Sequence, residues 1–405
     1  LLVEEEGETI HYDLASNSFL NHAAKNLPST MLGWHYRSRS ESLISFSNWA
    51  FYDGRLLTVP EEQLPPADRK PLLGSALEDA GEGAAELLLR SVSFHRIRQG
   101  LYDKRRNRTE AEYIARLVRE LLRGGSGKSL GIVAFSEAQQ DEIEGALARL
   151  GQEDAAFGEL LDAEWEREVD GQFVGLLVKN LENIQGDERD IIILSVCYGY
   201  GPQGRMLMNF GPINKSGGER RLNVAFSRAK HHMAVVSSIQ SSDITNDYND
   251  GARCLKNYLR YAEAVSAGSG DAARRVLDGM SRWHGSAEDE GSQADPVAEQ
   301  IAAALAGRGF LVDHAVGQSH FRCDLAVRRP GDSSYRLGIL LDNDAYYDQS
   351  DLLERDLMRP RLLEDFGWRV AMVLTKDWHE DRQAVVDHLV DLLSGKEQPE
   401  ADQEG

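Results

Sequence analysis

Two short runs carry the side chains most able to do chemistry. Gln185-Gly186-Asp187-Glu188 is a polar turn that feeds a wholly apolar stretch, Ile191 to Val196. About thirty residues on, Gly217 to Lys230 reads Gly-Gly-Glu-Arg-Arg-Leu-Asn-Val-Ala-Phe-Ser-Arg-Ala-Lys. As a short helix this second run sets Arg221 and Arg228, seven positions apart, on one face. Leu222, Ala225, Phe226 and Ala229 then form the opposite, buried stripe. A guanidinium beside the end of a parallel sheet suits one task above others. It can fork two donors onto the charge developing on a transferring phosphoryl group while staying ionised.

The elements that must position these groups can be read from hydrophobic period and caps. A helix capped by Ser40 runs to about Tyr52 and stops at Gly54. Prolines at 60, 65, 66 and 71 mark residues 60–90 as a loop or insertion, and Leu87 to Ile97 reads as a strand. Thr109 and Glu112 fit a capping box for a helix carrying Ile114, Leu117, Val118, Leu121 and Leu122. Strand Leu130 to Phe135 follows. Ser136 and Gln139 fit a second box, opening a helix that ends near Gly151. After an acidic excursion over 152–171 come strands Val174 to Val178, Ile191 to Val196 and Met233 to Ser237. Strands alternating with helices imply a parallel α/β sheet wound by right-handed crossovers. Gly124 to Ser129 imitates a phosphate loop but runs from helix into strand, the reverse of what phosphate binding at a helix N-terminus needs.

The chain has 405 residues, 41% hydrophobic and 27% charged, in the range of globular domains with real cores. No apolar run approaches the roughly twenty residues needed to span a bilayer, so no membrane partner is expected. Cys197, Cys254 and Cys323 are scattered without metal-ligand spacing and read as reduced thiols of a cytoplasmic protein. The formal charge of −21 argues against indiscriminate nucleic-acid binding and leaves room for a local basic groove. The start, Leu-Leu-Val-Glu-Glu-Glu, reads as a fragment or a processed terminus.

Four segments in order over residues 30–240 resemble the second RecA-like domain of superfamily-1 helicases of the RNA-surveillance and flap-processing branch. Trp34 to Tyr52 resembles that branch's Tyr-Arg motif, and Gly131 to Gln140 is similar to motif IV. Gln185 to Glu188 resembles motif V, and Leu222 to Lys230 resembles motif VI. The resemblance implies that Arg37 and Arg228 reach the ATP γ-phosphate, with Gln185, Gly186 and Glu188 around the nucleotide. It also implies that Asn180 and Gln139 touch nucleic acid. Each arginine alone reads more readily as a surface ion-pair partner, and it is the four-motif context that favours the functional role; capping is a sufficient task for Gln139. No phosphate loop or Asp-Glu magnesium motif occurs in these residues. ATP would therefore be shared with a first RecA-like domain, upstream or in trans, and hydrolysis is not expected from this chain alone.

Beyond a helical, polar connector (241–283) and a flexible acidic linker (284–295) the pattern restarts. A helix opened by Pro296 runs to Gly307. Strands follow near 310–316, 321–328 and 335–342, then a helix near 350–365, a strand Val370 to Leu374 and a last helix. Phe321 to Val327, Leu337 to Tyr347 and Phe366 to Trp378 resemble the very-short-patch-repair branch of the PD-(D/E)XK endonucleases. That resemblance implies a carboxylate cluster holding Mg²⁺, and Asp324, Asp342 and Glu299 are the residues available for it. The branch's Glu-x-Asp-Gly is here Leu340-Leu341-Asp342-Asn343, and its Tyr-His is Tyr346-Tyr347.

The expected architecture is thus an entry segment (1–29), a second RecA-like domain (30–240), the connector and linker, an endonuclease-like α/β domain (296–395) and a polar tail (396–405). The expected function is the C-terminal half, or a split subunit, of an ATP-dependent helicase-nuclease acting on single-stranded DNA or RNA. Two alternatives are a non-catalytic nucleic-acid-binding or scaffold protein with a degenerate nuclease fold, and an autonomous Mg²⁺-dependent endonuclease.

Overall fold

The computed structural model describes residues 2–5, 8–11, 33–64, 77–246, 248–281, 295–348 and 351–395. Most of the entry segment, prolines 65, 66 and 71, most of the acidic linker and the polar tail lie outside the described residues. Leu1–Trp34 forms one unit, whose described residues include an antiparallel pair, Leu2–Glu5 with Glu8–His11. The second unit, His35–Gly405, holds two α/β sheets.

The first sheet has five parallel strands in the spatial order Val92–Arg96, Ala229–Ser237, Arg189–Ser195, Leu130–Ala134 and Leu177–Asn180. The central strand reads Ile-Ile-Ile-Leu because a parallel sheet is covered on both faces. Ile192 and Leu194 join a core with Phe46, Leu222, Phe226 and Tyr258. Ile191 and Ile193 join the opposite core with Ile114, Leu117, Ile143 and Phe157. The sheet is therefore the middle layer of three, as in a RecA-like domain.

Several local expectations give way to tertiary contacts. The sequence suggests a strand from Leu87, but Ala80–Leu88 is a helix whose Ala84 and Leu87 are buried, and the strand starts at Val92. Residues 77–90 thus belong to the core and not to an insertion. The helix assigned to Ser40 begins at Ser42, because the Ser40 hydroxyl is drawn to the Glu61 carboxylate. It ends before Gly54, whose φ of +72° and contact with the Trp49 ring leave no space for a Cβ. Asn107, not Thr109, caps the helix Arg108–Arg123 by accepting from Glu110 N at 3.2 Å, while Glu112 pairs with Arg108. The acidic excursion contains a packed helix, Ala155–Trp165. The "polar" connector is two helices, Asp250–Ser266 and Gly270–Ser281, which give Leu255, Tyr258, Tyr261, Val276 and Leu277 to the first core.

The second sheet orders Leu311–Val316, Cys323–Arg328, Leu337–Leu341 and Val370–Val373, the first three antiparallel and the last parallel to its neighbour. Helix Pro296–Ala306, capped by Asp295, and helix Arg382–Leu393 cover one face. Near Pro360 the chain makes a π-helical turn, Glu354–Met358, before helix Arg359–Asp365. This is a restriction-endonuclease-like α/β fold.

The acidic linker is not the sole connection between the two sheets. Residues 57–64 run from the first onto the second. Pro60 O accepts from Trp368 Nε1 at 2.8 Å, Glu62 O from Tyr335 N at 2.9 Å, and Ser333 O from Leu64 N at 3.0 Å. The buried Glu41 carboxylate receives Gln318 N at 3.0 Å from both oxygens, and Arg39 lies 4.7 Å over the Phe366 ring.

Candidate nucleotide and nucleic-acid site

The run Gly217–Lys230 is not one helix. Helix Gly218–Phe226 ends at Ser227, and Ala229 begins a strand, so Arg228 occupies the turn between them. Leu222, Ala225, Phe226 and Ala229 are all buried, as their spacing predicts. Arg221 and Arg228 do not share a face. Arg221 reaches Glu182 at 3.8 Å, while Arg228 Nε folds back onto Val224 O at 2.8 Å.

The loop His35–Arg39 is laid along the start of the same strand. Ser38 Oγ donates to Ala229 O at 3.2 Å and Arg39 N to Lys230 O at 2.8 Å. This brings Arg37 to the turn, where its Nε donates to Glu188 Oε2 at 2.6 Å and a terminal nitrogen reaches Ser227 O at 3.4 Å. Lys230 Nζ holds the other Glu188 oxygen at 2.9 Å. Burial alone would raise the Glu188 pKa, but the bonds from Lys230 and Arg37 outweigh it and keep the carboxyl below its ordinary value. Arg228 shows the opposite balance. Half-burial and then the neighbouring Arg37 charge lower its pKa, and among the described residues no carboxylate sits within ion-pair distance of it. Its donors meet only backbone carbonyls, Val224 O and, at 3.4 Å, Asp187 O. His35 is held neutral, its pKa lowered to about 4 by burial and by Arg37, and its Nε2 lies 3.0 Å from Ser38 Oγ.

Gly186, at φ +93°, takes a backbone conformation that favours glycine and turns the chain so that Glu188 enters the cluster. Gln185 is exposed on the same turn. Sequence reasoning gave Lys230 no role, although it stands at the start of the strand that leaves the Arg228 turn.

At the opposite, carboxyl end of the sheet, Asn180 closes its strand and donates to Gln140 Oε1 at 3.2 Å. Gln139 is a correction. It is fully buried, accepting from Asn107 N at 2.6 Å and donating to Asn107 O and Ser195 Oγ. All its polar capacity is spent in the interior, so it presents nothing to nucleic acid. Its backbone N–H bonds to Ser136 Oγ as a capped helix requires, but its side chain does not return to the cap.

The expected metal cluster is also corrected. Asp324 accepts from Leu341 N at 2.8 Å and Asn343 Nδ2 at 2.7 Å, and burial raises its pKa to about 6. Asp342 turns to the next strand's end, where one oxygen takes both Thr375 N and Oγ1 at 2.6 Å and the other takes the Tyr347 hydroxyl at 2.9 Å. Burial raises its pKa, but those bonds prevail and the net shift is downward. Glu299 is exposed, 3.9 Å from His314. Among the described residues no three acidic, His or Cys side chains converge to hold a metal ion. Asp324, Asp342 and Glu299 are thus not gathered into one such cluster.

Residues 15–240, more than half of the chain, match the AAA domain family AAA_12. The chain belongs to that family. Residues 298–393 match the REase_MTES_1575 family, which is restriction-endonuclease-like, so a helicase-type domain is followed by a nuclease-like one. The chain is similar to the uncharacterized ATP-dependent helicase MG140 of Mycoplasma genitalium, 33% identical over 276 residues, covering 66% of this chain and 22% of that protein. Its homologue from Mycoplasma pneumoniae is 33% identical over 278 residues, covering 67% and 22%. The chain thus spans about a fifth of the length of these curated relatives. No helix among the described residues is long and apolar enough to cross a membrane.

Proposed function

We propose that this chain supplies the arginine-bearing half of an ATP site in a DNA or RNA helicase, as its C-terminal half or as a split subunit. ATP would lie between the turn at Arg228 and a first RecA-like domain, upstream or in trans. Arg37 and Arg228 act as arginine fingers, and Glu188, braced by Lys230, fixes the direction of the Arg37 fork. Gln185 and Gly186 line the same turn. One observation carries the reading. Arg37 and Lys230 already share the Glu188 carboxylate, which leaves the half-buried Arg228 cation next to Arg37 ready for an anion. When bound, ATP supplies that anion; the chain's own contribution is to hold cations where phosphoryl charge develops. Asn180 serves a phosphate of the translocating single strand. The test is ATP turnover by the full assembly carrying Arg228→Ala. We expect a loss of at least about 10³-fold, as for other arginine fingers. Undiminished turnover removes the role.

The nuclease-like domain is proposed as a non-catalytic binding module, because Asp324 and Asp342 are already bonded within the fold and Glu299 stands exposed beside His314. Labelled DNA incubated with Mg²⁺ or Mn²⁺ decides this. Cleavage that Asp324→Ala abolishes would restore the nuclease reading.

A further inference from the structure

Residues Arg96 to Arg108 hold six Arg and Lys against one Asp in a chain of net charge −21. They lie where the edge strand Val92–Arg96 leaves the carboxyl end of the sheet. Asp103 and Arg106 exchange two backbone hydrogen bonds of 3.0 Å across a two-residue turn. Its central residues, Lys104 and Arg105, have φ of +47° and +65°. Such a turn ordinarily takes Asn-Gly or Gly-Gly, since a side chain in the left-handed region costs about 1–2 kcal/mol. Two long cations are kept there at a cost to the fold, and both are exposed. Arg106 is occupied by Glu142, and Arg108 by Glu112. Lys104 and Arg105 have no acidic partner among the described residues.

The turn is anchored to the helix that meets Asn180. Ser136 Oγ, at that helix's N-cap, donates to Arg105 O at 2.5 Å, and Arg106 reaches Glu142 in its second turn. Gln140 of the same helix receives Asn180. On the other side, Tyr102 N donates to Tyr200 O at 3.0 Å, joining the turn to a second hairpin. That hairpin carries the exposed Arg205, again without an acidic partner among the described residues, and the part-exposed ring of Tyr200, whose hydroxyl bonds to Asp243. Cations and an aromatic ring following one another along the carboxyl edge make a track for a single strand, read through its phosphates and not its sequence.

We propose that the Lys104-Arg105 turn, with Arg205 beside it, is a phosphate clamp that grips the single strand next to Asn180. The inference rests on the strand-binding reading above. Fluorescence anisotropy of the full chain with a labelled oligo(dT), across a salt titration, tests it. The variant K104G/R105G removes both charges while relaxing the turn backbone, so folding survives. We expect about tenfold weaker binding at low salt and a shallower log–log salt dependence, by about 1.4 for two lost phosphate contacts. The thermal midpoint should not fall. Unchanged affinity and slope, with Asn180→Ala still weakening binding, would overturn the clamp and leave the strand reading standing. No binding by the unmodified chain would overturn both. Displacement by oligoglutamate as effective, per charge, as by oligo(dT) would assign the turn to an acidic protein and overturn the phosphate clamp.

Discussion

The arginine cluster of the first sheet and the aspartates of the second are both charged groups at strand ends, yet they are treated oppositely. Arg228 is half-buried beside another cation and bonds only to carbonyls. Asp324 and Asp342 are each tied by two or three donors from their own fold. A charge left without its counter-ion is set up for a ligand. A charge fully bonded inside the fold has become part of the scaffold. The same chain therefore leaves one half-buried cation without an ion-pair partner among its described residues, and assembles no cluster of three metal-ligating side chains among them.

The largest effect that could break this contrast is on ATP turnover. Arg228→Ala should cost about 10³-fold or more in the full assembly with the thermal midpoint unchanged or raised, since a like-charge neighbour is removed. Asp324→Ala should do the reverse. It strands Leu341 N and the Asn343 amide and should cost about 1–3 kcal/mol by denaturant unfolding, with ATP turnover intact. A large catalytic loss from Asp324→Ala would erase the distinction.

A pH series sharpens it. The folded Asp324 pKa of about 6 lies above its ordinary 3.8, so the native state holds the proton more tightly. Stability from this group is complete below about 3.8 and is lost as pH rises through about 6. Compared with Asp324→Asn, the unmodified chain should lose ground between those values and run parallel above them. Parallel curves throughout would contradict the buried setting of Asp324. The smallest effect belongs to Lys230→Ala. Glu188 is too exposed for the lost ion pair to matter much, and the midpoint should shift by less than about 1 kcal/mol equivalent. Its signature should be kinetic, a fall in turnover as the Arg37 fork loosens.

Legibility differed by the kind of information each residue carries. The apolar runs at 130–134, 191–194 and 233–236 announced buried parallel strands, and Pro296 with Gly307 bracketed a helix that the structure bounds at Pro296–Ala306. The order of motifs brought Arg37, Glu188 and Arg228 into one hypothesis although the first is separated from the others by more than 150 positions. Gln139 and Gln140 were indistinguishable as letters. Which one points inward depends on Asn107, supplied by another helix.

By itself the sequence determined the two α/β patterns, their order and the turns beside which Arg37 and Arg228 stand, because hydrophobic period and glycine placement are local properties. Tertiary structure alone decided that Arg228 leaves its helix, that Asp342 turns to Thr375, and that residues 57–64 bind the two sheets together. Those outcomes depend on which donor or acceptor a distant strand brings within about 3 Å, and that distance is written in no single segment of the chain.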